Sequence, residues 1–462
     1  MTLGLRHRLA LLLAALILLG MALFRQGLPP GTAAPFLLVL LTIVAWATAA
    51  IPEHVTSLLF FSLALVLGLA PPETVFQGFT TGAFWLVFSG IVMAAAVVAT
   101  GLGWRLRAGL ARLAGRTYLG TVATAAGGGT LLAFAVPAAI PRVMILLPVA
   151  EALATGQGFA RGSKGHAGIV LATLLATIVP SFAILTGNLP NLILLGAMQS
   201  IHGVEIGYLD YLFWNFPVLG LLKLVSIVLI AAWTFADAPG SPPASEAETG
   251  AGWTPAQTRL ACLLAVAVLL WATDSLHGVP PGWVGLAAAT FCLLPGVGFL
   301  DAKAFSGKIN TTPLFFVAGV LGLVSVVAAS GIGTWLGGGL LTLAHLGPDP
   351  LLVSYAKLVA VAGGIALVVT HPNIPTVLVP AAGDIAVATG LSLKGVAMAQ
   401  VAAFSLLVLP YQTAPMAVGL ALSGVDLGRA LRFLLLNALA SLVLLVPLQG
   451  LWLWWRGVLA LP

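Results

Sequence analysis

Charge is scarce in this chain. Only 7% of its 462 residues are Asp, Glu, Lys or Arg, against roughly a quarter in a soluble globular domain. That scarcity excludes a water-soluble fold. Cysteine is nearly absent: Cys262 and Cys292 both sit in apolar runs, make no CxxC motif and offer no disulfide framework, so both read as buried free thiols. Strict apolar–polar alternation is missing too, which excludes an outer-membrane strand barrel. No dense basic cluster accompanies the net charge of +6, so no nucleic-acid partner is expected. There is no H-E-x-x-H pair, no G-x-S-x-G elbow and no cysteine–histidine motif, and an enzyme is not expected. Arg6 and Arg8 precede the apolar run Leu9 to Leu23 without an A-x-A-like cleavage site. This start reads as a first transmembrane helix rather than a signal peptide.

Long apolar runs are what the chain has instead. It is 60% hydrophobic with mean hydropathy +1.11, and the fold class is an all-α polytopic membrane protein. At about 20 residues per crossing, passages are expected near 9–24, 33–50, 55–70 and 83–100. A basic amphipathic segment, Arg105 to Arg116, precedes a Gly-rich, proline-broken hairpin at 120–155 and an interrupted passage at 166–199. A further helix at 208–234 leads into Asp237 to Gly252, whose composition is that of a flexible linker. Helices then follow at 257–275, 281–298 and 312–332, a hairpin at 351–389, an interrupted passage at 395–423 and a last helix at 430–455.

Basic residues orient this arrangement. With the N-terminus in the cytoplasm, that side holds Arg6, Arg8, Arg105, Arg107, Arg112, Arg116, Arg161, Lys164, Arg259, Lys303, Lys308, Arg429 and Arg432. The other side holds Arg25, Lys394 and Arg456, in accord with the positive-inside rule. Arg142, Lys223 and Lys357 fall at membrane depth. The two lysines are expected to snorkel, with Asp384 a candidate partner for Lys357. Glu53, His54, Asp274 and His277 lie at helix ends, where interfacial solvation accounts for them. Trp452, Trp454 and Trp455 read as an interfacial belt.

The two halves repeat. Val98-Ala-Thr-Gly-Leu-Gly103 recurs as Ala328-Ala-Ser-Gly-Ile-Gly333, 230 positions later, and Leu146-Leu-Pro-Val-Ala150 as Leu378-Val-Pro-Ala-Ala382, 232 later. Trp46-Ala-Thr recurs as Trp271-Ala-Thr, and Leu189-Pro190 matches Ala414-Pro415, both 225 apart. In the topology above, matching helices run in opposite directions. The expected organisation is therefore a transmembrane helix at 1–30, a first repeat at 31–235, a flexible cytoplasmic linker at 236–256 and a second, inverted repeat at 257–462. Each repeat carries a re-entrant helical hairpin and a broken transmembrane helix, as secondary transporters do around a midplane solute site.

Four breaks carry the chemistry. Thr370-His-Pro-Asn-Ile-Pro-Thr376 interrupts apolar sequence with two prolines, a histidine and an asparagine. Backbone broken at membrane depth is tolerated where it is buried or lines a cavity. Its counterpart is Val136-Pro-Ala-Ala-Ile-Pro-Arg142, with Ala139 and Pro141 at the turn. An arginine there either receives an oxyanion through its planar fork, or reaches the interface, or pairs with a buried acid. The other two breaks are Leu185-Thr-Gly-Asn-Leu-Pro-Asn191 and Pro410-Tyr-Gln-Thr-Ala-Pro415. Thr186, Gly187, Asn188, Asn191, Gln412 and Thr413 offer neutral donors and acceptors there, or brace a proline kink. Thr370, His371, Asn373 and Thr376 complete the candidate substrate and ion site; His371 is either a proton-coupling group or a neutral hydrogen-bonding ring. No break contains Asp or Glu, which favours an anion over a cation, and no bound metal centre or cofactor is expected.

Trp46-Ala-Thr-Ala-Ala-Ile-Pro-Glu-His-Val-Thr56, Val75-Phe-Gln-Gly-Phe79 and Ala99-Thr-Gly-Leu102, with Leu276-His-Gly-Val-Pro-Pro281 and Leu293-Leu-Pro-Gly-Val297 in the second half, resemble the divalent anion:sodium symporter family. The resemblance runs from about residue 30 to the C-terminus. It implies a homodimer with an elevator-type motion, in a bacterial-type inner membrane. Its hairpin tips usually carry Ser-Asn-Thr and are understood to coordinate sodium and a di- or tricarboxylate or sulfate. Here those positions read Ala138-Ala139-Ile140 and Thr370-His371-Pro372. The family's Gly-Thr-Pro-Pro-Asn loop is partly kept as Gly187-Asn-Leu-Pro-Asn191; its second-half match reads Gln412-Thr-Ala-Pro-Met416. Arg142 and His371 stand at or near the lost polar positions, and a fixed cation could replace a bound sodium ion. The expected function is a secondary permease for a di- or tricarboxylate, sulfate or sulfonate, sodium-independent, working by exchange or proton coupling. The alternatives are sodium-coupled dicarboxylate symport, or a cation/proton antiporter or oxyanion exporter of the same superfamily. The coupling ion, Na⁺ or H⁺, stays open at this point.

Overall fold

The computed structural model describes residues 31–48, 50–113, 117–238 and 252–460. The expected helix at 9–24 and positions 239–251 of the linker lie outside them. Among the described residues the chain is helical, with one isolated bridge between Leu391 and Ala460. Eight helices among the described residues are long and apolar enough to cross a membrane, and the chain is a multi-pass membrane protein.

Local signals set the ends of these helices. The Thr81 hydroxyl accepts from Phe84 N–H and opens Gly82–Thr100. Gly101 then turns left-handed at φ +69°, where a side chain would be strained, and starts the amphipathic helix Leu102–Leu113. Gly331, at φ +77°, stands in the same relation to Thr312–Ala329 and Ile332–Leu343. That last helix was not foreseen as an element, although the repeated Ala-x-Gly-x-Gly signal marks its start.

The order of elements recurs beyond this pair. Trp46 and Trp271, from the repeated Trp-Ala-Thr, are both buried. Each donates its indole N–H to a carbonyl at the start of the next long helix, Glu53 O at 3.2 Å and Pro281 O at 3.1 Å. Ser163 and Ser392 cap the helices that lead into the two interrupted passages. Two long helices, Tyr208–Thr234 and Leu427–Trp455, each contain a π-helical segment, at Phe216–Leu222 and Ser441–Leu445. Residues 165–185 are buried throughout, so the first interrupted passage runs through the core of the protein.

Several side chains differ from expectation. Lys223 does not snorkel: it is 1% exposed, because its ammonium finds protein oxygens within reach. Lys357 pairs with Asp349 at 2.6 Å, not with Asp384; Asp349 lies in the loop just before the helix Leu351–Ala366 that carries Lys357. Cys292 is buried, but Cys262 is exposed on the outer side of its helix. Asp274 is buried and accepts from Tyr208 N–H at 2.5 Å, tying two helix starts together rather than merely facing solvent. The passage expected to 298 is a helix only over Pro281–Leu293; Leu294 and Pro295 lead into a turn at Gly296.

Candidate functional site

Proline builds the first hairpin. Helix Tyr118–Ala135 ends at Val136, and Pro137, which has no N–H, prevents its continuation. The chain runs extended through Ala138 and restarts as Ala139–Gly156, with Pro141 in the first turn, where a missing donor costs nothing. Arg142 follows on that turn and has no exposed surface. Its Nη1 donates to Val136 O at 2.7 Å and Gly187 O at 2.8 Å. Its Nη2 donates to Thr177 O at 3.2 Å and Ser181 Oγ at 2.9 Å. Its Nε has no partner. The ion pairs among the described residues are Arg161–Glu151 and Lys357–Asp349; Arg142 has none. Its planar fork is thus filled by protein oxygens, and its charge is held fixed in the core.

Three of those oxygens, from Thr177, Ser181 and Gly187, belong to the first interrupted passage. Helix Lys164–Ile178 gives way to two 3-10 turns, Pro180–Ala183 and Leu185–Gly187, before Leu189–His202. The turns leave carbonyls unpaired, and asparagines satisfy several of them. Asn188 donates to Ile178 O and Ser181 Oγ; Asn191 donates to Ser181 O and Ile184 O. The bracing role of these asparagines is therefore real, yet Asn191 Oδ1 stays without a donor. Gly187 fits because a Cβ there would lie 2.5 Å from Ser181 O.

The second hairpin brings its tip to this same loop. After helix Leu351–Ala366, a 3-10 turn at His371–Asn373 leads into Ile374–Leu378. The fully buried His371 ring stands edge-on to Phe182 of the first break at 5.5 Å and beside Phe404 at 6.0 Å. Neither ring nitrogen has a partner. Asn373 donates to the Thr370 hydroxyl at 2.9 Å, and the Thr376 hydroxyl donates to Asn373 O at 2.6 Å; Asn373 Oδ1 is left over. One turn before Phe404 on its helix, buried Gln400 has both amide atoms unpartnered, on the face turned toward Phe182 and His371. Gln400 was missed from sequence, because a single glutamine in an apolar helix carries no motif.

The second break is stitched differently. Helix Leu393–Phe404 stops, Pro410–Gln412 forms a 3-10 turn, and Ala414–Ser423 resumes. Gln412 Oε1 accepts from Val408 and Leu409 N–H, each at 2.7 Å, and its Nε2 donates to Ala366 O at 3.0 Å. The Tyr411 hydroxyl donates to Leu367 O. Thr413 is buried ahead of the new helix without a side-chain cap bond.

Each hairpin is thus tied to its own break, and the first break meets the second hairpin tip through Phe182 and His371, while Ile140, Tyr411 and Ala414 stay exposed. Arg142, Thr186, Gly187, Asn188 and Asn191 gather with His371, while Thr370, Asn373, Thr376, Gln412 and Thr413 support the second half. Ala139 and Pro141 shape the turn below Arg142. Buried polar atoms normally find partners. Among these elements His371 Nδ1 and Nε2, Gln400 Oε1 and Nε2, Asn191 Oδ1, Asn373 Oδ1 and Arg142 Nε are buried without partners, which leaves them chemically open. Two cavities are lined by the elements that carry these breaks. One of about 440 Å³, with Glu205, Asp210 and Asp274 at its rim, reaches Leu185, next to Thr186. The other, of about 450 Å³, lies at the end of Ala414–Ser423 among Arg161, His166 and Arg429. Neither is lined by Arg142 or His371, and both side chains are fully buried, so these two groups are closed off from solvent in this conformation.

Comparison with known proteins agrees with this architecture. The Escherichia coli inner membrane protein YbhI is 27% identical over 349 residues, covering 71% of this chain and 72% of that protein. The spinach chloroplastic dicarboxylate transporter 2 is 25% identical over 316 residues, covering 64% and 54%. The chain spans between 54% and 72% of the length of the curated relatives it matches. The crystal structure of the Alcanivorax borkumensis YdaH transporter, described as having an unusual topology, shares the fold. It has a TM-score of 0.52 at 15% identity, over 92% of this chain and 99% of that one. Residues 5–461 match the sodium:sulfate symporter transmembrane region, and the chain belongs to that family, the divalent anion:sodium symporters.

Proposed function

We propose that this protein is a secondary active permease for a small organic or inorganic anion of the di- or tricarboxylate, sulfate or sulfonate class. It works in a bacterial-type inner membrane, with a cytoplasmic N-terminus and inverted repeats. The observation that carries this reading is Arg142: a guanidinium with no exposed surface and no carboxylate partner. A buried charge without a counter-charge is costly. An anion seated against His371, Gln400 and the loop 186–191 would neutralise it. The spinach relative, named a dicarboxylate transporter, supports the substrate class.

Transport on this reading does not need sodium. Arg142 bridges Val136 O of the first hairpin to Gly187 O of the first loop, where a metal cation would otherwise collect carbonyls. In the second half, Gln412 and Tyr411 supply neutral donors to the hairpin carbonyls Ala366 O and Leu367 O. Succinate uptake by the purified protein in liposomes should persist when choline replaces sodium; abolished uptake would overturn this. Sodium-coupled symport is the competing reading. It draws on Asn191 Oδ1 and Asn373 Oδ1, buried oxygens without donors that could ligate a cation. The same choline exchange separates the two. A homodimer with elevator-type motion follows from the family resemblance and is checked by the mass of the detergent-solubilised particle.

A further inference from the structure

Lys223 is the most anomalous side chain outside the site. It lies in the long helix Tyr208–Thr234, directly after the π-helical segment Phe216–Leu222, and is 1% exposed. Its Nζ donates to Ser441 Oγ at 2.6 Å and to Asn437 O at 3.0 Å. Both belong to the other long helix, Leu427–Trp455, and Ser441 opens its π-helical segment. Asn437 Oδ1 beside them has no partner. Lys223 is in neither of the two ion pairs found among the described residues.

The contact is part of a register. Gln449 Nε2 donates to Asn215 Oδ1 at 3.3 Å and to Trp214 O at 2.9 Å. Asn215 pairs with Gln449 and Lys223 with Ser441, eight residues on along one helix and eight back along the other. The two helices therefore run antiparallel, with a polar rung about every two turns. This seam also meets the site. The segment Phe216–Leu222 packs against the 3-10 turn Pro180–Ala183. That turn carries Ser181, a partner of Arg142, and Phe182, the neighbour of His371. Tyr211, one turn before Asn215, donates its hydroxyl to Phe182 O at 2.8 Å.

From this geometry we propose that Lys223 is a proton-binding site, and that one proton carried there accompanies each divalent anion. The proposal rests on the anion-permease reading above. Neutral oxygens suit both states of the amine. The ammonium donates to Ser441 Oγ and Asn437 O, as it does here. After one proton leaves, the Nζ lone pair accepts from the Ser441 hydroxyl while a remaining N–H still donates to Asn437 O. No carboxylate locks the charged form. The other charged and titratable groups on the packed elements lie elsewhere. Arg429 and Arg432 begin the Leu427 helix, opposite the far end of Lys223–Thr234 in the register above. Tyr118, Lys164 and His166 begin the two helices packed alongside, where Gly165 N–H meets Asp237 beyond that same far end. The segment 216–222 has no titratable group. Charge balance gives the stoichiometry: Arg142 supplies one fixed positive charge, and protonated Lys223 supplies the second that a dianion needs. The π-helical turns, a common feature of functional positions, give the seam room to readjust between the two states.

The test uses the full-length protein with Lys223→Met, which is never charged, Lys223→Arg, which is always charged, and Ser441→Ala, which keeps the lysine but removes its hydroxyl partner. Liposomes in choline are given an inward gradient of one pH unit. Wild-type succinate accumulation should rise about tenfold, the factor that one coupled proton carries per pH unit. The ratio of uptake with and without the gradient should fall to about one in both Lys223 variants. Ser441→Ala should shift the pH at which the wild-type response is half complete. Gradient-driven uptake retained by Lys223→Met or Lys223→Arg would overturn the proposal. A second readout needs no substrate: melting of the detergent-purified proteins between about pH 5 and pH 9. The melting difference between wild type and Lys223→Arg should change with pH; a constant difference would overturn the proposal even if succinate is not carried. If Lys223→Met does not fold, the other two variants decide.

Discussion

Each half of the chain ties its hairpin to its broken helix, but the two ties differ in charge. In the first half a cation does it: Arg142 reaches from the hairpin into the loop and collects Val136 O, Gly187 O, Thr177 O and Ser181 Oγ. In the second half neutral groups do it: Gln412 and Tyr411 reach from the loop to the hairpin carbonyls Ala366 O and Leu367 O. The direction of the side chain is reversed and the charge is absent. The backbone differs as well, with two 3-10 turns at the first break and one at the second, so the two ties differ in geometry and in charge. On the function proposed above, the first half would supply the charge that attracts an anion, and the second the aromatic wall of His371 and Phe404 against which it is read.

The largest effect should come from removing the charged tie. Arg142→Ala leaves three buried carbonyls short of a donor, and each unsatisfied group costs about 1–3 kcal/mol; the melting temperature should fall further than for any other change considered. The same variant sharpens the comparison. With the guanidinium gone, the gap is bounded by oxygens, and sodium should stabilise Arg142→Ala against heat while leaving the wild type unaffected. Equal stabilisation of both by sodium would show that the arginine does not occupy a cation's place.

Cutting the neutral tie should cost less. Gln412→Ala removes three hydrogen bonds, at Val408 N, Leu409 N and Ala366 O, with about 1 kcal/mol expected for each net bond. Because no charge is lost, sodium should not rescue this variant in a thermal melt. A sodium response here as strong as that of Arg142→Ala would erase the asymmetry between the halves.

Most of the architecture was legible because membranes restrict what a sequence can do. Apolar runs of the right length and prolines at 137, 141, 190, 372, 375, 410 and 415 place the breaks where helices in fact stop, since backbone in lipid has few alternatives. The conformation of each break and its partners were less legible. Arg142 was open to three roles, an oxyanion fork, an interfacial head group or the partner of a buried acid, yet oxygens of its own hairpin and of the first interrupted passage fill it, and nothing in residues 136–142 announces a loop 40 positions away. Lys223 was expected to snorkel because its side chain is long; only the antiparallel register with Leu427–Trp455 brings Ser441 and Asn437 within its reach. Gln400 carried no signal at all, because Phe182 and His371, which pack on Phe404 one turn further along its helix, come from other parts of the chain.

His371 and Gln400 give the smallest stability effects and the clearest separation of stability from transport. His371 fills an aromatic slot between Phe182 and Phe404 with no hydrogen bond. His371→Phe should therefore keep the edge-on packing and change stability by less than about 1 kcal/mol, while succinate uptake falls. Gln400 goes further: its amide is buried with both polar atoms unpaired, which burial penalises by about 1–3 kcal/mol. Gln400→Met, of similar shape and apolar, should raise the melting temperature and lower uptake. A polar group kept where it destabilises the fold is the expected mark of a group that meets a ligand in the working cycle. If Gln400→Met were both more stable and fully active, the second half's wall would reduce to His371 and the aromatic rings. The asymmetry would then rest on charge in one half and ring packing in the other.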